Sequence, residues 1–219
     1  MTIPRMAAAA LAGVPAGVQA QGVWAGRRQL FVRFAGEAET ATMYTSSALL
    51  KEIERQLTRS KFHSIAIGGR DPLGNLEFLT AAFGNVKLSL PLMLDSDGQR
   101  PEALALLAPN LALAQVTVDF VGPDGTRASA IETLAAAEGT GCAHALVLCP
   151  KEDTIDGQML RLIEQAHATS AKTQVLIHPF LTGEPPVLDR RWATLLEHAV
   201  ELHADTRLAL RLHAPAGLR

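Results

Sequence analysis

The stretch that decides the fold is VQAQGVWAGRRQLFVRFAG, residues 18–36. Its segment QLFVRF, at 29–34, is rich in aliphatic, β-branched and aromatic residues and predicts a strand. Thr45 can then cap a helix that runs to Arg59, with apolar residues at helical spacing. The stretch therefore begins a strand–helix unit.

The same unit recurs through the rest of the chain. Further strands are predicted at 64–67, 86–90, 114–120, 143–149, 174–178 and 207–212, and helices at 76–83, 101–107, 128–137, 153–168 and 188–203. Regular alternation is typical of βαβ units and a parallel sheet. Seven such strands could form a doubly wound sheet or curl into an incomplete barrel, and periodicity does not separate the two. In both, functional groups lie at the carboxyl ends of the strands.

Composition favours a single globular domain without a nucleic-acid partner. The chain has 219 residues, of which 48% are apolar and 19% charged. A net charge of −2 and a pI near 6.4 give no basic field for a phosphate backbone. The two cysteines, Cys142 and Cys149, are too few for a disulfide framework and are interpreted as reduced thiols.

The first 17 residues allow two interpretations, an N-terminal extension or a first strand. Arg5, the alanine-rich run after it and the small residues up to Ala20 have the outline of a signal peptide, although Pro15 interrupts the run. A periplasmic binding domain is therefore one alternative. No stretch reaches the ~18 apolar residues of a membrane-spanning helix, and we expect a cytoplasmic protein that does not bind membranes.

Several catalytic and metal-binding motifs are missing from the sequence. It contains no GxxxxGK[ST] phosphate loop, no GxGxxG between a strand and a helix, and no GxSxG nucleophile elbow. His198 and His203 are five positions apart, which turns them to different faces of a helix, whereas HExxH aligns its histidines. We therefore predict no metal site and no catalytic residue from these motifs.

One family signature does match. Residues 18–36 resemble the amino-terminal signature SxQGEGxxxGxPxxFxRxxGC of the 7-carboxy-7-deazaguanine synthases, with matches at Gln19, Gly22, Gly26, Phe31, Arg33 and Gly36. These radical SAM enzymes convert a carboxylated tetrahydropterin to a deazapurine with S-adenosylmethionine, a four-iron cluster and magnesium. Residues 65–73 resemble the family's GGEPL strand end, 175–179 its hydrophobic–Gln–Pro strand end, and 207–213 its terminal strand. The resemblance implies one domain over residues 18–219, an α/β fold with mostly parallel strands in an incomplete (β/α) TIM-like barrel.

The chain departs from the family at the cluster motif. Glu37, Ala41 and Tyr44 stand where the family has the CxxxCxxC cysteines. Iron–sulfur clusters of this class need thiolates, and these side chains are poor or impossible substitutes. We therefore expect no 4Fe-4S cluster and no radical chemistry. The family's Ser-Pro-Lys strand end is also missing at 116–120, and its IETNG strand is interpreted as residues 88–92.

The resemblance implies that part of a ligand pocket remains. Gln19, Arg33 and His213 match pterin-pocket positions, and Gln21 replaces a glutamate that reads the pterin's amino edge. Gly68, Gly69 and Asp71 match the S-adenosylmethionine-binding strand end, so binding of this cofactor is possible but weakened, and no cofactor is expected. The residues alone leave open that Arg33 instead pairs with Glu37 or Glu39.

These observations predict a non-catalytic, radical-SAM-like protein, a pseudoenzyme. It would bind a pterin-like or other small anionic ligand, or support a partner subunit, as a homodimer or a heteromer. Because Glu37 and Glu39 could supply a general base, an enzyme of changed, non-radical chemistry in pterin or deazapurine metabolism is the other alternative. The sequence identifies neither ligand, pathway nor partner.

Overall fold

The computed structural model describes residues 7–120, 125–179 and 189–212, with the backbone alone at 125–128. Strands and helices alternate over most of these ranges. The strands are β1 Ala8–Gly13, β2 Ala16–Val18, β3 Arg28–Phe34, β4 Thr42–Thr45, β5 Ser64–Gly69, β6 Leu92–Ser96, β7 Leu113–Val118, β8 His144–Leu148, β9 Gln174–Ile177 and β10 Thr206–Leu208. The α-helices are α1 Ser46–Arg59, α2 Leu76–Phe83, α3 Pro101–Leu107, α4 Gly125–Gly139, α5 Asp156–Thr169 and α6 Arg190–Leu202, and short 3₁₀ helices cover Pro72–Asn75 and Ala108–Asn110.

These ten strands form one mostly parallel sheet. Its order is β10-β9-β8-β7-β6-β5-β3-β1-β4, with β2 paired to β3 outside this path. From β3 to β10 every neighbouring pair is parallel, and the strands after β3 follow one another in chain order. The predicted mixed α/β, mostly parallel fold is thus confirmed, and the order lacks the reversal that defines a doubly wound sheet.

The helices pack against one face of the sheet. Right-handed crossovers in a constant direction put every connecting helix on the same side. Accordingly, Leu49 and Phe78 from α1 and α2 share a buried cluster with Val32 of β3, while Leu162 and Leu195 from α5 and α6 share one with strands β7–β9. We call the opposite side of the sheet its inner face.

The inner face is covered by the connection between β2 and β3 rather than by helices. Val23 and Trp24 of this connection pack against a smaller apolar cluster that includes Met93 and Leu176. The described part of the chain contains no helix that is long and apolar enough to cross a membrane.

The amino-terminal segment is a strand of the sheet. β1 lies between β3 and β4 and is antiparallel to both, and Ala9 and Leu11 are buried in the core. Within residues 1–17, the structure places Ala8–Gly13 in strand β1. A chain that began after Ala20 would lack both β1 and β2.

Most predicted elements are confirmed, and one strand is wrong. Residues 86–90 form no strand, and β6 begins at Leu92 instead. The alternating pattern VKLSL is typical of a half-exposed strand, whereas a central parallel strand is apolar on both faces. In the structure Leu88 and Leu90 only pack on the core from outside the sheet. The last strand is also shorter than the predicted 207–212, and β2 and β4 were not predicted.

Candidate functional site

A cavity of about 570 Å³ lies on the inner face of the sheet, toward the carboxyl ends of β3, β5 and β6. β2 and the chain after it form its other wall. In parallel α/β sheets this edge is where ligands bind. Sixteen of the described residues line the cavity: Pro15, Ala16, Gly17, Val18, Gln19, Ala20, Gln21, Phe31, Val32, Arg33, Ala66, Ile67, Gly68, Gly69, Met93 and Asp95.

Backbone hydrogen bonds hold the β2–β3 connection, residues 19–27, over the inner face. Gln19 N–H donates to Arg27 O at 2.9 Å and Gly26 N–H to Gln19 O at 2.8 Å, which closes the hairpin. Leu212 N–H donates to Ala20 O at 2.9 Å. The connection is therefore tied to its own hairpin and to the segment after β10.

Gly22 meets two side chains of the inner face. Its N–H donates to His178 Nε2 at 2.9 Å, and the Nδ1 of His178 lies 2.6 Å from Ala209 O. The neutral tautomer with a proton on Nδ1 satisfies both contacts. A Cβ at Gly22 would lie 1.8 Å from Gln115 Oε1, and the φ of +80° favours glycine as well. The match of Gly22 to the family signature thus has a local physical cause.

Gln19 and Gln21, two predicted ligand-binding residues, both line the cavity. Gln19 is buried, and its Nε2 donates to Gln21 O at 3.0 Å, so its amide nitrogen holds the turn. The half-buried Gln21 side chain lies near Asp95 and helps to lower the pKa of that carboxyl. Gln21 is therefore the better placed of the two to contact a ligand.

Arg33 lies at the mouth of the cavity. Its side chain is 53% exposed and forms an ion pair with Glu39, whose second carboxylate oxygen accepts from Gly36 N–H at 2.9 Å. The ion pair that the sequence left open is thus present, with Glu39 rather than Glu37. A ligand at Arg33 would have to share or displace this carboxylate.

The residues predicted at the end of β5 separate into two groups. Gly68 and Gly69 line the cavity, but Asp71 does not. Asp71 caps the following 3₁₀ helix. Its carboxylate accepts hydrogen bonds from Nε and Nη2 of Arg100, and the distance from Nη2 to Oδ2 is 2.7 Å. Hydrogen bonding from Arg100 lowers the pKa of Asp71, and this carboxylate is fully engaged by the protein.

The three positions that correspond to cysteines in the family's CxxxCxxC motif lie in one segment, residues 37–44. Glu37 is exposed, and its Oε1 lies 3.8 Å from Arg70 Nη2. Ala41 is exposed in the connection to β4. Tyr44 lies in β4 and packs against the core. Neither Cys142 nor Cys149 is near this segment in the chain, and both are buried. His213, the fourth predicted ligand-binding residue, lies outside the described residues.

Asp95 is the acidic residue of the cavity, and sequence reasoning missed it. It lies in β6 opposite Gln115 of β7, and its Oδ1 accepts from Thr117 Oγ1 at 2.7 Å. Burial raises the pKa of the Asp95 carboxyl, and the charge of Asp119 raises it further. The hydrogen bond from Thr117 and the nearby amides lower this pKa, but by less. The Gln115 amide lies close, but its Nε2 donates no hydrogen bond.

Asp95 escaped notice because the strand was predicted too early. With the strand at 86–90, Asp95 would lie in a loop, and the family's IETNG strand would fall on residues 88–92. The signal that could have found it is the apolar run Leu92–Leu94, which ends in Asp95, Ser96 and Asp97 before Gly98. An apolar run that ends in acids and a glycine is typical of a buried parallel strand with polar residues at its carboxyl end.

Further along the same edge, Arg211 Nη2 lies 3.1 Å from Asp119 Oδ1. Cys149 is close to this pair, and burial raises the pKa of its thiol to about 12. The protonated thiol is therefore unreactive near neutral pH.

Within the described ranges, no three His, Cys, Asp or Glu side chains come together as a metal site. His203, one of the two spaced histidines, instead contacts His167, with the two Nδ1 atoms 3.0 Å apart.

The described residues define a mixed α/β protein with a ligand-sized cavity at the carboxyl edge of its parallel strands. No protein-family model matches the chain, and no curated protein matches it at a significant level.

Proposed function

We propose that this chain is a non-catalytic relative of the radical SAM 7-carboxy-7-deazaguanine synthases and binds a small ligand in the cavity. The observation that carries this proposal is the convergence of separate sequence segments. The predicted site residues come from different elements and line one cavity: Gln19, Gln21, Arg33, Gly68 and Gly69. Its volume of about 570 Å³ falls in the range of small-molecule sites.

The fold supports the relationship at a finer level. From β5 to β10 the strands lie side by side in chain order, and the helices lie on one face of the sheet. A (β/α) barrel has the same arrangement. We infer an incomplete TIM-like barrel of the radical SAM type, in which β1 and β4 extend the sheet beyond β3.

The proposal that the protein is non-catalytic is supported by the side chains at the cluster positions. Glu37 faces solvent beside Arg70, Ala41 has no ligand atom, and Tyr44 packs on the core. No cluster or other cofactor is therefore proposed. Binding of S-adenosylmethionine would be weak, because Arg100 already holds Asp71.

We propose a pterin-like or other small anionic ligand, in a cytoplasmic protein that acts as a homodimer or with another subunit. Arg33 would contact the anionic part at the cavity mouth, and Gln21 the ring. Support of a partner subunit is the other role that we propose for a non-catalytic protein.

The two other hypotheses have less support. An enzyme of changed chemistry was predicted on Glu37 and Glu39, and neither lines the cavity. Glu39 is engaged by Arg33 and by the backbone of Gly36. A periplasmic binding domain requires cleavage near Ala20, which would remove β1 and its buried Leu11.

Calorimetric titration with a carboxylated tetrahydropterin and with S-adenosylmethionine tests the proposal. We expect saturable binding of the pterin and much weaker binding of S-adenosylmethionine. Arg33→Ala should weaken pterin binding by about tenfold, the loss of one charge-assisted contact.

The matched control is Arg55→Ala, which removes another ion-paired arginine far from the cavity, in α1. It should bind as the wild type does. If Arg33→Ala and Arg55→Ala have equal affinities, Arg33 is not a ligand residue and the pocket implied by the family signature is wrong.

A further inference from the structure

The inner end of the cavity carries a carboxyl group that the family signature does not assign. Asp95 lies on the inner face between β5 and β7, where the backbone of β6 is close to Gly68. A Cβ at Gly68 would contact Asp95 O at 3.6 Å and Asp95 Cβ at 3.8 Å. Asp95 therefore lies against the glycine end of β5 that forms the cavity wall.

The charges around the cavity are unbalanced. Among the described residues that line it, only Arg33 and Asp95 are ionisable. Arg33 is half exposed at the mouth and already paired with Glu39. Among the described residues Asp95 has no cationic partner, and its neighbours Thr117 and Gln115 are neutral. Asp119 adds a second negative charge, but this one is matched by Arg211.

A half-buried carboxylate without a cationic partner is costly, because neutral donors replace only part of the hydration that it loses. Thr117 Oγ1 donates to Asp95 Oδ1 at 2.7 Å, and the Gln21 amide lies close to the same carboxyl. A carboxylate accepts at about four sites, so acceptor capacity remains on the side of the cavity.

We infer that the inner end of the cavity binds a cationic nitrogen group, an ammonium, amidinium or guanidinium of a small organic ligand, through Asp95. The inference rests on the proposal that the cavity binds a ligand. Such a group supplies the missing positive charge and N–H donors for the free lone pairs, in a charge-assisted pair. The apolar remainder of the ligand lies against Phe31 and Met93, which line the same cavity.

A cation site at Asp95 fixes which charged end of a ligand lies at which end of the cavity. An anion at the inner end would meet Asp95, and none of the described lining residues there carries a positive charge to offset the repulsion. The anionic part of a ligand therefore belongs at Arg33, and its cationic or amidine-like part at Asp95.

Three probes of one shape and different charge test this: benzamidinium, neutral benzamide and benzoate. Each is titrated into ¹⁵N-labelled full-length protein, and the amide signals of Gly68, Met93 and Ser96 are followed by NMR. We expect benzamidinium to bind at least about tenfold more tightly than either other probe, since a charge-assisted pair contributes more than a neutral one.

Two variants separate charge from shape. Asp95→Asn keeps the size of the side chain and removes its charge, and it should weaken benzamidinium about tenfold or more and leave benzamide unchanged. Gly68→Ala places a methyl group against Asp95 at ordinary contact distances, so the fold tolerates it. It should weaken all three probes. Asp97→Asn, a nearby exposed carboxylate, is the control and should change none of them.

The outcomes distinguish this inference from the proposed function. If benzamide or benzoate binds as tightly as benzamidinium, or if Asp95→Asn keeps full benzamidinium affinity, the cavity binds ligands but the cation site is wrong. If no probe shifts the three amides, both the cation site and the ligand-binding proposal are overturned. The comparison of probes on the wild type stands even if Asp95→Asn does not fold.

Discussion

At the scale of the residue, Asp95 is half-buried, lines the cavity and has no cationic partner among the described residues. Its Oδ1 is held by Thr117, and burial raises the pKa of the carboxyl. A carboxyl in such surroundings lowers the stability of the folded state whenever it is ionised. Retention of a costly group beside a cavity is typical of a residue that serves binding.

The pH dependence of Asp95→Asn follows from the direction of this pKa shift. Because the folded-state pKa is raised, the folded protein holds the proton more tightly, and the contribution of Asp95 to stability falls as pH rises through that pKa. The amide that Asp95→Asn introduces cannot ionise. We expect the variant to be more stable than wild type at pH 7 and to differ little from it at about pH 4.

Denaturant melts of wild type, Asp95→Asn and the exposed control Asp97→Asn at both pH values measure this difference. Asp97→Asn should follow wild type at each pH. An Asp95→Asn variant that is less stable than wild type at pH 7 would show that the carboxylate is stabilised by contacts in the protein itself.

Gly22 and Gly26 allow a second residue-scale prediction. Both have a φ of +80°. A Cβ added at Gly22 would overlap the Gln115 side chain, whereas a Cβ added at Gly26 would have no described atom within 4 Å. Alanine at either position costs about 1 kcal/mol in backbone strain. We expect Gly22→Ala to lose roughly 1–3 kcal/mol more, from the clash. Chemical denaturation of both variants measures the difference, and equal losses would mean that residues 19–27 are not held against β7.

At the scale of the element, the strands and helices from β3 onward were largely predictable from residue patterns. The N-cap of α1 at Thr45 is a local signal, and its Oγ1 accepts from Ala48 N–H at 3.2 Å. β1 was ambiguous because its alanines have no strand preference, and only pairing with β3 and β4 makes it a strand. β6 was misplaced because the alternating pattern before it imitates an exposed strand.

The candidate site was predictable only in part, for a related reason. Gln19, Gln21 and Arg33 came from a family signature, which is read along the chain. Asp95 and Thr117 become neighbours only when β6 and β7 pair, so no local pattern brings them together. The pairing of Arg33 with Glu39 was foreseen as an option because the two are close in sequence.

The role of β1 yields a prediction at this scale. Leu11 is fully buried, whereas Leu106 in α3 is 68% exposed. Leu11→Ala should therefore cost about 2–5 kcal/mol of unfolding free energy. Leu106→Ala should change it by no more than about 0.5 kcal/mol. If thermal and chemical melts show the two variants equally stable, β1 is not part of the folded core.

At the scale of the whole molecule, one face of the sheet carries the helices and the other carries the cavity. The polar groups of the cavity lie at the carboxyl edge. Cys149 lies further along the same edge, close to Arg211 and Asp119, but its thiol is buried, as is that of Cys142.

The buried thiols give a global prediction. With the pKa of Cys149 raised to about 12 and that of Cys142 also raised by burial, neither is a thiolate at pH 8. Ellman's reagent should leave both unmodified in the native protein and titrate two thiols in guanidinium. Rapid reaction of either cysteine under native conditions would contradict this burial.

The most direct measurement of the central claim is anaerobic reconstitution with iron and sulfide, followed by desalting and an NMR titration of the same sample with benzamidinium. The account predicts no stoichiometric iron or sulfide, no visible cluster absorbance, and saturable shifts of the cavity amides of Gly68 and Met93. A stoichiometric four-iron cluster, or a cavity that binds none of the charged or neutral probes, would contradict it.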